Sequence, residues 1–486
     1  MREALRCDVA IAGAGLAGLV AGAVLARRGL EVAVVERAPQ VGGRGGATPY
    51  RGYWIDAGHR DGMDVTDLQI GWRHGQVAAR EAGVEIPLRE VGAGMRVHLL
   101  PGAPGPARAV VAGSWSAAGM TALARDALGC PPPLLPAFGR ALARLAGASE
   151  AEREAALATP LAEWLEAQVA EPALRSALRT LVSVIFCEHP ERASAGRLMS
   201  FFARGAEGAR MQTGYADHPD VGGMQGLMEP FADAIRARRG ALLHGLEPRC
   251  VRFEGARAAG LVAVDEHHLV REIHARSVVL AVPLWQALPL LPSERVPREL
   301  AALASALEDE QGDALGLAVG LRRLPRLRDA DGRAGAPESH VGWNRLLVGD
   351  ERRYWGGFHL PSLGSRRAAP EGRQLLHAFV VRWLARDERP SWEDSAPRIA
   401  RVEDYLRRFY ADFDDCVEWS ERQWVQRPAC MAWYWAPLRR HGLRVPGCEG
   451  LYLASATCES DAGPVDVAAH AGLEAARAIL AEAGAA

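Results

Sequence analysis

The chain has 486 residues, of which 49% are hydrophobic and 24% are charged, and its formal net charge at pH 7 is -2. A chain of this length can bury a large core and is expected to form more than one domain. Because basic and acidic side chains nearly cancel, the composition shows neither a nucleic-acid footprint nor a strong electrostatic attraction to a membrane.

Lysine is absent, so every basic side chain other than histidine is arginine. This excludes Schiff-base chemistry on a lysine. The eight cysteines are scattered, without a Cys-x-x-Cys pair or a Cys/His cluster at metal-ligand spacing. We therefore predict reduced thiols and no metal site. The pair His267–His268 is interpreted as part of a solvated turn between two strands.

The first predicted strand, Cys7–Ala12, enters a glycine-rich turn that opens a helix rich in leucine and alanine. Gly13 permits the tight turn, Gly15 lets the backbone approach a pyrophosphate, and Gly18 lets the helix pack closely on the strand. A second strand ends at Glu36, which is placed to accept hydrogen bonds from an adenosine ribose. This order predicts a dinucleotide-binding βαβ unit, with contacts from Gly13, Gly15, Leu16, Ala17, Gly18, Glu36 and Arg37.

A secretion signal is the alternative interpretation of this segment, because the residues from Val9 to Ala26 are uncharged and follow two arginines. The three glycines would weaken an inserted helix, and cleavage after Ala26 would remove the fingerprint but keep Glu36. We therefore expect a cytoplasmic protein.

A second glycine cluster, residues 42–46, follows Glu36 after one short loop. Its glycines allow close backbone approach, and Arg44 can neutralise phosphate charge. In this position the cluster resembles the flavin amine oxidase and phytoene desaturase superfamily, whose members carry Gly-x-Gly-x-x-Gly, then Glu, then a Gly-Gly-Arg loop. The resemblance implies FAD as the cofactor, bound in part by Gly43 and Arg44.

The resemblance continues along the chain. It implies that the Asp-x-Gly segment ending at Gly58 reaches the isoalloxazine ring, and that Val251 pairs its backbone with adenine. Further matches are Gly222–Leu227, Ser277–Pro283, Gly450–Ser455 and Asp466–Ala469. Together they cover about the first 60 residues, about 70 in the middle and about the last 40, an interleaved flavin-domain pattern. The predicted contacts in the last block are Ser455, Ala456, Asp466 and Val467.

One departure from the family pattern affects the cofactor. Where relatives carry an acid after the last strand, which hydrogen-bonds the ribityl or phosphate region, this chain has Ala456. Alanine cannot make that bond, although Thr457, Glu459 or Ser460 could substitute for it. The departure predicts a lower affinity for FAD than the other motifs suggest.

The candidates for catalysis and substrate binding lie beside the flavin segments. His59 and Arg60 directly follow the segment that reaches the ring and are the predicted polar groups near flavin N5; a surface turn with Asp61 and Asp64 is the alternative. The aromatic cluster Trp433, Tyr434 and Trp435 precedes the last flavin block and is predicted to line the substrate pocket, with plain packing as the alternative.

The fold class predicted is α/β, with a Rossmann-like FAD-binding domain interleaved with a mixed α+β substrate domain that carries a helical insertion. The FAD-binding domain is assigned to residues 1–100, 205–290 and 443–486, the helical insertion to 101–204 and the substrate domain to 291–442. Within these we expect a loop over 101–116, helices over 120–145, 160–181 and 399–409, and strands over 315–321 and 375–381, with a loop over 326–338. The apolar face of residues 178–186 is interpreted as core or as a lid over an apolar substrate.

These observations predict an FAD-dependent desaturase, dehydrogenase or isomerase that transfers a hydride from an apolar, isoprenoid-like substrate to flavin N5. Because a single dinucleotide fingerprint is present, we expect oxygen, a quinone or another small molecule to accept the electrons. One alternative is a flavin amine oxidase, which is disfavoured because the resemblance implies a lysine near flavin N5 in such enzymes and this chain has no lysine. The other is a non-catalytic lipid or prenyl carrier on the same scaffold. No segment is a convincing membrane span, while peripheral membrane contact and the oligomeric state stay open.

Overall fold

The computed structural model describes residues 5–56, 66–67, 72–91, 94–100, 108–112, 117–186, 191–207, 213–309, 313–329, 331–349, 353–382, 391–425, 440–460 and 464–484. Within these ranges no helix is long and apolar enough to cross a membrane.

Strands make up two large sheets and three small ones. They are β1 (Leu5–Ala12), β2 (Val32–Glu36), β3 (Ala47–Tyr50), β4 (Tyr53–Asp56), β5 (Thr66–Asp67), β6 (Leu88–Val91), β7 (Met95–Leu100), β8 (Arg108–Ala112), β9 (Thr213–Ala216), β10 (Ala241–His244), β11 (Glu247–Glu254), β12 (Arg257–Val264), β13 (Val270–Leu280), β14 (Asp313–Leu321), β15 (Arg326–Arg328), β16 (Ala334–Pro337), β17 (Trp343–Val348), β18 (Arg353–His359), β19 (Gln374–Arg382), β20 (Val417–Val425) and β21 (Leu451–Leu453).

Helices connect and cover these sheets. They are α1 (Leu16–Arg27), α2 (Arg73–Ala82), α3 (Ala117–Asp126), α4 (Leu135–Ala146), α5 (Glu150–Ala155), α6 (Leu161–Gln168), α7 (Pro172–Phe186), α8 (Ala195–Glu207), α9 (Gln225–Ala237), α10 (Leu284–Ala287), α11 (Arg298–Asp309), α12 (Trp392–Phe409), α13 (Phe413–Cys416) and α14 (Pro464–Glu482).

Sheet A is the dinucleotide-binding sheet, with strand order β10-β2-β1-β13-β12-β11 and β21 paired to β13. Strands β10, β2, β1, β13 and β21 run parallel, while β11 and β12 extend the sheet as an antiparallel hairpin. Strand β2 is buried along its whole length, as expected where helices cover a parallel sheet. Helix α1 packs against α9 and α14. The predicted Rossmann-like architecture is confirmed.

Sheet B, the sheet of the substrate region, has strand order β20-β14-β19-β18-β17-β7-β8. Its pairings are antiparallel except for β17 with β7. Strand β7 belongs to this sheet, although its residues lie within the segment 1–100 assigned to the FAD-binding domain. The predicted loop over 101–116 was wrong in part, because β8 pairs with β7 and completes the edge of sheet B.

The two faces of sheet B have different neighbours. The outer face packs on α12 through a cluster that includes Phe358, Ala378 and Tyr405. The opposite face, which we call the inner face, carries Arg345, His359, His377 and Phe379, because paired residues share a face and side chains alternate along a strand. Ala318 and Leu375 of this face pack on Tyr53 and Ile55 of β4. The inner face of sheet B thus packs against β4.

The helical insertion differs from its prediction in detail. The segment 120–145 divides into α3 and α4, because Pro131, Pro132 and Pro133 interrupt the helix. The segment 160–181 divides into α6 and α7. Leu178, Leu181, Val182 and Ile185 of α7 lie in one buried cluster with Leu347 of sheet B. The structure therefore assigns this apolar face to the core.

The predicted elements of the substrate domain are present with wider bounds. Strands β14 and β19 and helix α12 cover the predicted ranges. Helix α12 begins earlier than predicted because Ser391 and Asp394 form a capping box. The loop predicted over 326–338 was wrong in part, because β15 and β16 pair there as a short hairpin.

A buried polar network ties the outer face of sheet B to α12. His98 is fully buried, with Nδ1 at 2.5 Å from the Tyr405 hydroxyl and Nε2 at 2.9 Å from Asn344 Oδ1. Since Asn344 Oδ1 accepts, Nε2 carries the proton and Nδ1 accepts from Tyr405. Burial lowers the pKa of His98 to about 3. The imidazole is therefore neutral in the folded protein at pH values where an unfolded histidine takes up a proton.

This network predicts acid sensitivity. Between about pH 6.5 and pH 4 the unfolded state binds a proton at His98 that the folded state does not, so the free energy of unfolding should fall by roughly 1.4 kcal/mol per pH unit for this group as pH decreases. His98→Gln keeps a donor and an acceptor and should flatten this slope. Chemical denaturation across that range measures it.

The exposed His267 offers a control, since His267→Gln removes a histidine that lies outside any buried network. It should leave the wild-type slope unchanged. An unaltered slope in His98→Gln would contradict the role assigned to this histidine.

Candidate functional site

The first glycine loop is closed on one side and open on the other. Gly13 has φ of +103°, and a Cβ there would lie 2.8 Å from the Ala281 carbonyl oxygen. A Cβ on Gly18 would lie 2.0 Å from the Gly13 carbonyl oxygen. A Cβ on Gly15 would instead meet nothing within 4 Å. Glycine is thus required by packing at two positions, while Gly15 faces open space.

That open space lies at the N-terminus of α1. Gly15 is the N-cap and offers no side-chain cap, and the N–H groups of the first helical residues, Leu16, Ala17 and Gly18, have no partner within a helix. Such N–H groups and the helix dipole attract a phosphate. This end of α1 can therefore hold a pyrophosphate as predicted.

Glu36 links the end of β2 to the same loop. Its Oε2 accepts from the Ala14 N–H at 2.8 Å and its Oε1 accepts from the Ala38 N–H at 2.8 Å. The carboxylate is buried, and each oxygen keeps a further lone pair for a ribose hydroxyl. Arg37, the next residue, is exposed. The side chain of Glu36 is thus fixed in place by the backbone on either side of it.

The second glycine loop lies directly against the first. The Gly42 N–H donates to the Ala14 carbonyl oxygen at 2.8 Å, and a Cβ on Gly43 would lie 3.2 Å from Gly15 Cα. Gly43 begins a short 3-10 turn that contains the half-buried Arg44. We call the two loops together with Glu36 the cofactor cradle. The cradle has open space at Gly15, and the contacts of Gly43 and Arg44 with the cofactor stay predictions.

Val251, the predicted adenine contact, lies in the hairpin of sheet A. It is buried in β11, and the segment leading into that strand reaches the cradle, since the Leu246 N–H donates to the Glu36 carbonyl oxygen at 3.0 Å. The adenine contact of Val251 stays a prediction.

The loop after β21 lies where relatives carry an acid, and its hydroxyl side chains form a hydrogen-bonded network. The Thr457 hydroxyl lies 2.8 Å from His441 Nε2 and 2.6 Å from the Ser455 hydroxyl. His441 Nδ1 lies 2.8 Å from the Gly442 carbonyl oxygen, so Nδ1 is the donor and Nε2 accepts from Thr457. Burial lowers the pKa of His441 to about 4. Both hydroxyls are committed to this network, so Thr457 does not replace the acid missing at Ala456.

Asp466 accepts hydrogen bonds from the backbone at the start of α2. Its Oδ1 accepts from the Gly75 N–H at 2.6 Å and its Oδ2 from the His74 N–H at 3.0 Å, at the start of α2. Burial raises the pKa of this carboxyl group. Asp466 and Val467 are both fully buried in α14. Their contacts with the cofactor stay predictions, and the carboxylate of Asp466 itself binds the first turn of α2.

Several predicted residues lie outside the described part of the chain. These are the catalytic candidates His59 and Arg60, the ring contact Gly58, and the pocket residues Trp433, Tyr434 and Trp435.

The structure brings together a polar cluster that the sequence analysis missed. Asp56 ends β4 and is the first residue of the Asp-x-Gly segment predicted to reach the ring, and its Oδ2 lies 3.9 Å from His377 Nδ1. The rings of His359 and His377 lie 5.4 Å apart at 85°. All three residues are buried on or against the inner face of sheet B. The available signal was a histidine in each of two neighbouring strands, at the end of β18 and among the apolar residues of β19.

Arg345 completes the polar part of the inner face. It is 2% exposed, and its guanidinium carbon lies 4.6 Å from the Trp343 ring centroid and 5.7 Å from that of Phe379. Cation–π attraction of this kind stabilises a buried guanidinium. The inner face of sheet B therefore carries a guanidinium and two imidazoles, and Asp56 of β4 lies opposite one of the imidazoles.

Comparisons with known proteins agree with this geometry. A family model described as flavin containing amine oxidoreductase matches residues 82–480, and one described as an NAD(P)-binding Rossmann-like domain matches residues 11–60. The matched family is flavin-containing, so the dinucleotide of the cofactor cradle is FAD. None of the curated proteins matches this chain.

Solved structures share the fold. An oxidoreductase from Methanosarcina mazei has a TM-score of 0.68 and 16% identity over 96% of this chain and 100% of that one. A protein from Pyrococcus furiosus has a TM-score of 0.62 and 17% identity over 99% and 98%. Cyclohexylamine oxidase from Brevibacterium oxydans has a TM-score of 0.61 and 18% identity over 98% and 99%. At these identities the likeness establishes the fold alone.

The geometry of the cofactor cradle predicts that a substitution at Gly15 can weaken FAD binding without preventing folding. Gly15→Val adds a side chain where there is open space, so the protein should fold, but the side chain would displace the pyrophosphate and weaken FAD binding by on the order of 100-fold or more. Glu36→Ala should weaken it by about tenfold, because a ribose acceptor is lost. Fluorescence titration of apoprotein with FAD measures both.

Gly139→Val is the matched control, since a Cβ at this α4 position meets only the Thr121 hydroxyl, at 3.9 Å. It should bind FAD as the wild type does. Wild-type affinity in Gly15→Val would show that the loop is not the pyrophosphate site.

The loop after β21 predicts a gain of affinity in Ala456→Asp. Because the Thr457 hydroxyl is committed to His441, it does not take the place of the family's acid. A carboxylate at position 456 should therefore tighten FAD binding by about tenfold through a charge-assisted hydrogen bond. The same titration measures it, with Ala301→Asp on the exposed side of α11 as control. Unchanged affinity in Ala456→Asp would mean that another group already makes this contact.

Proposed function

This chain belongs to the family of flavin-containing amine oxidoreductases, and from that premise we propose that it oxidises an apolar, isoprenoid-like substrate as a desaturase, dehydrogenase or isomerase. When bound, FAD accepts a hydride equivalent at flavin N5. The chain must hold the cofactor, bring a C–H bond of the substrate to the ring and keep water out. The cofactor cradle supports the first of these tasks, and the inner face of sheet B supports the others.

The observation that carries the choice of a neutral substrate is the position of Arg345. An alkylammonium group needs an acidic partner or an aromatic cage. The rings of Trp343 and Phe379 could form part of such a cage, but both face the guanidinium of Arg345. A cationic amine would have to compete with that guanidinium for the same rings.

The carboxylate of the site supports the same choice. Among the described residues of this cluster, Asp56 supplies the acidic side chain. Its Oδ1 already accepts a hydrogen bond from the Met224 N–H at 2.8 Å. Its Oδ2 faces His377. Together with the absence of lysine from the sequence, this arrangement favours a substrate bound by apolar contact, which gains roughly 25 cal/mol per Å² of hydrocarbon removed from water.

We further propose that the electrons leave to oxygen, a quinone or another small acceptor, because the sequence contains a single dinucleotide fingerprint. Peripheral contact with a membrane would give access to substrates of this class. Amine oxidation is the second candidate, favoured by the resemblance of the fold to cyclohexylamine oxidase.

Substrate class is tested by anaerobic reduction of the bound flavin. Neutral isoprenoids, such as polyenes and sterols presented in detergent micelles, should bleach the absorbance near about 450 nm that is typical of an oxidised flavin. Primary amines and polyamines should not, because Arg345 faces the rings that would hold an ammonium group. Rapid bleaching by a simple amine, with no response to any neutral lipid, would replace the proposal by amine oxidation.

The aromatic cluster before the last flavin block gives a second test of the pocket. If Trp433 and Trp435 line it, Trp433→Ala and Trp435→Ala should slow bleaching by on the order of tenfold while FAD content stays the same. Stopped-flow absorbance separates the two quantities. Loss of folded protein in these variants would instead assign both rings to the core.

A further inference from the structure

Asp56, His359 and His377 converge from three strands. His359 and His377 are direct cross-strand partners of β18 and β19, so their side chains leave the inner face of sheet B side by side. Asp56 reaches them from the end of β4. One ligand atom from each residue lies within 4.8 Å of the other two, and all three residues are buried. Two imidazoles and a carboxylate are a donor set typical of protein sites for transition metals.

We propose that this cluster binds a divalent transition-metal ion. The 3.9 Å between Asp56 Oδ2 and His377 Nδ1 is too long for a hydrogen bond. An ion placed about 2.0 to 2.2 Å from each atom would span that distance. The other distances between ligand atoms are at most 4.8 Å. Side-chain movements of less than about 1 Å would bring these atoms within bonding distance of one ion.

The surroundings of Asp56 fix which of its oxygens faces the ion. The Met224 N–H donates to Oδ1 at 2.8 Å. A Cβ on Gly223 would lie 2.4 Å from the same oxygen, so the glycine makes room for this close contact. Oδ2 is thereby turned toward His377. A hydrogen bond that orients a ligating carboxylate in this way is a common part of metal sites.

Three protein ligands leave at least one coordination position open, as in catalytic rather than structural zinc sites. With neutral imidazoles and one carboxylate, a divalent ion leaves the site with net positive charge, so the open position favours water, hydroxide or an oxygen of the substrate. The sequence predicted no metal site because Asp56 lies about 300 residues before the two histidines, and the histidines are not at a metal-ligand spacing. This inference concerns ion binding alone and does not depend on the substrate class.

The test is titration of the FAD-loaded, chelator-stripped protein with Zn²⁺, followed by isothermal calorimetry and by elemental analysis after desalting. We expect equimolar binding with micromolar or tighter affinity. His359→Gln and Asp56→Asn should each weaken binding by on the order of 100-fold, with FAD content and melting temperature as checks on folding.

The double variant His267→Gln/His268→Gln is the control for adventitious binding, since these histidines lie in an exposed turn beside Asp265 and Glu266. It should bind Zn²⁺ as the wild type does. The proposal is overturned if the wild type binds no Zn²⁺, or if binding survives in His359→Gln and is lost in the turn variant. Neither result alters the proposed oxidation, which is measured by bleaching of the flavin.

Discussion

The close contact between two glycine loops is the constraint on which the cofactor cradle depends. The Gly42 N–H meets the Ala14 carbonyl oxygen, and Glu36 holds the Ala14 N–H from the other side. Glycine permits this approach, because a Cβ on Gly43 would lie 3.2 Å from Gly15 Cα. The crossover after β13 is part of the same contact, because a Cβ on Gly13 would meet the Ala281 carbonyl oxygen. Sheet A, the start of α1 and the loop before β3 are thus positioned together, with open space at Gly15.

The outer face of sheet B contributes to stability, and the inner face is the one at which we place the chemistry. The outer face is covered by α12, and its polar residues pair with one another, as His98 does with Tyr405 and Asn344. The inner face carries Arg345, His359 and His377, and the two histidines lie close to Asp56 at the end of β4. A buried charge or imidazole is costly unless it is paired or used. We place the proposed oxidation at this face, where His377 of β19 faces Asp56 of β4.

The sequence was sufficient for the cofactor cradle because local patterns determine it. Gly13, Gly15, Gly18 and Glu36 lie within a single βαβ unit, and each has a mechanical role that its spacing reveals. The break between α3 and α4 was not predicted, although three consecutive prolines mark it in the sequence. Strand β8 was missed because its residues follow a segment rich in proline, glycine and alanine, and only its pairing with β7 makes it a strand. The Asp56, His359 and His377 cluster could not be predicted, because cross-strand register and the contact between two sheets bring these residues together. A histidine among the apolar residues of a strand indicates a buried imidazole, but it does not indicate which side chains that imidazole faces.

A crystal structure of the FAD complex tests the central claim most directly. The account predicts the pyrophosphate at Gly15, the ribose at Glu36, and the isoalloxazine ring next to the end of β4, facing His359, His377 and Arg345 across the substrate space. FAD bound with its phosphates away from the cofactor cradle, or with its ring separated from the inner face of sheet B by other elements, would contradict it.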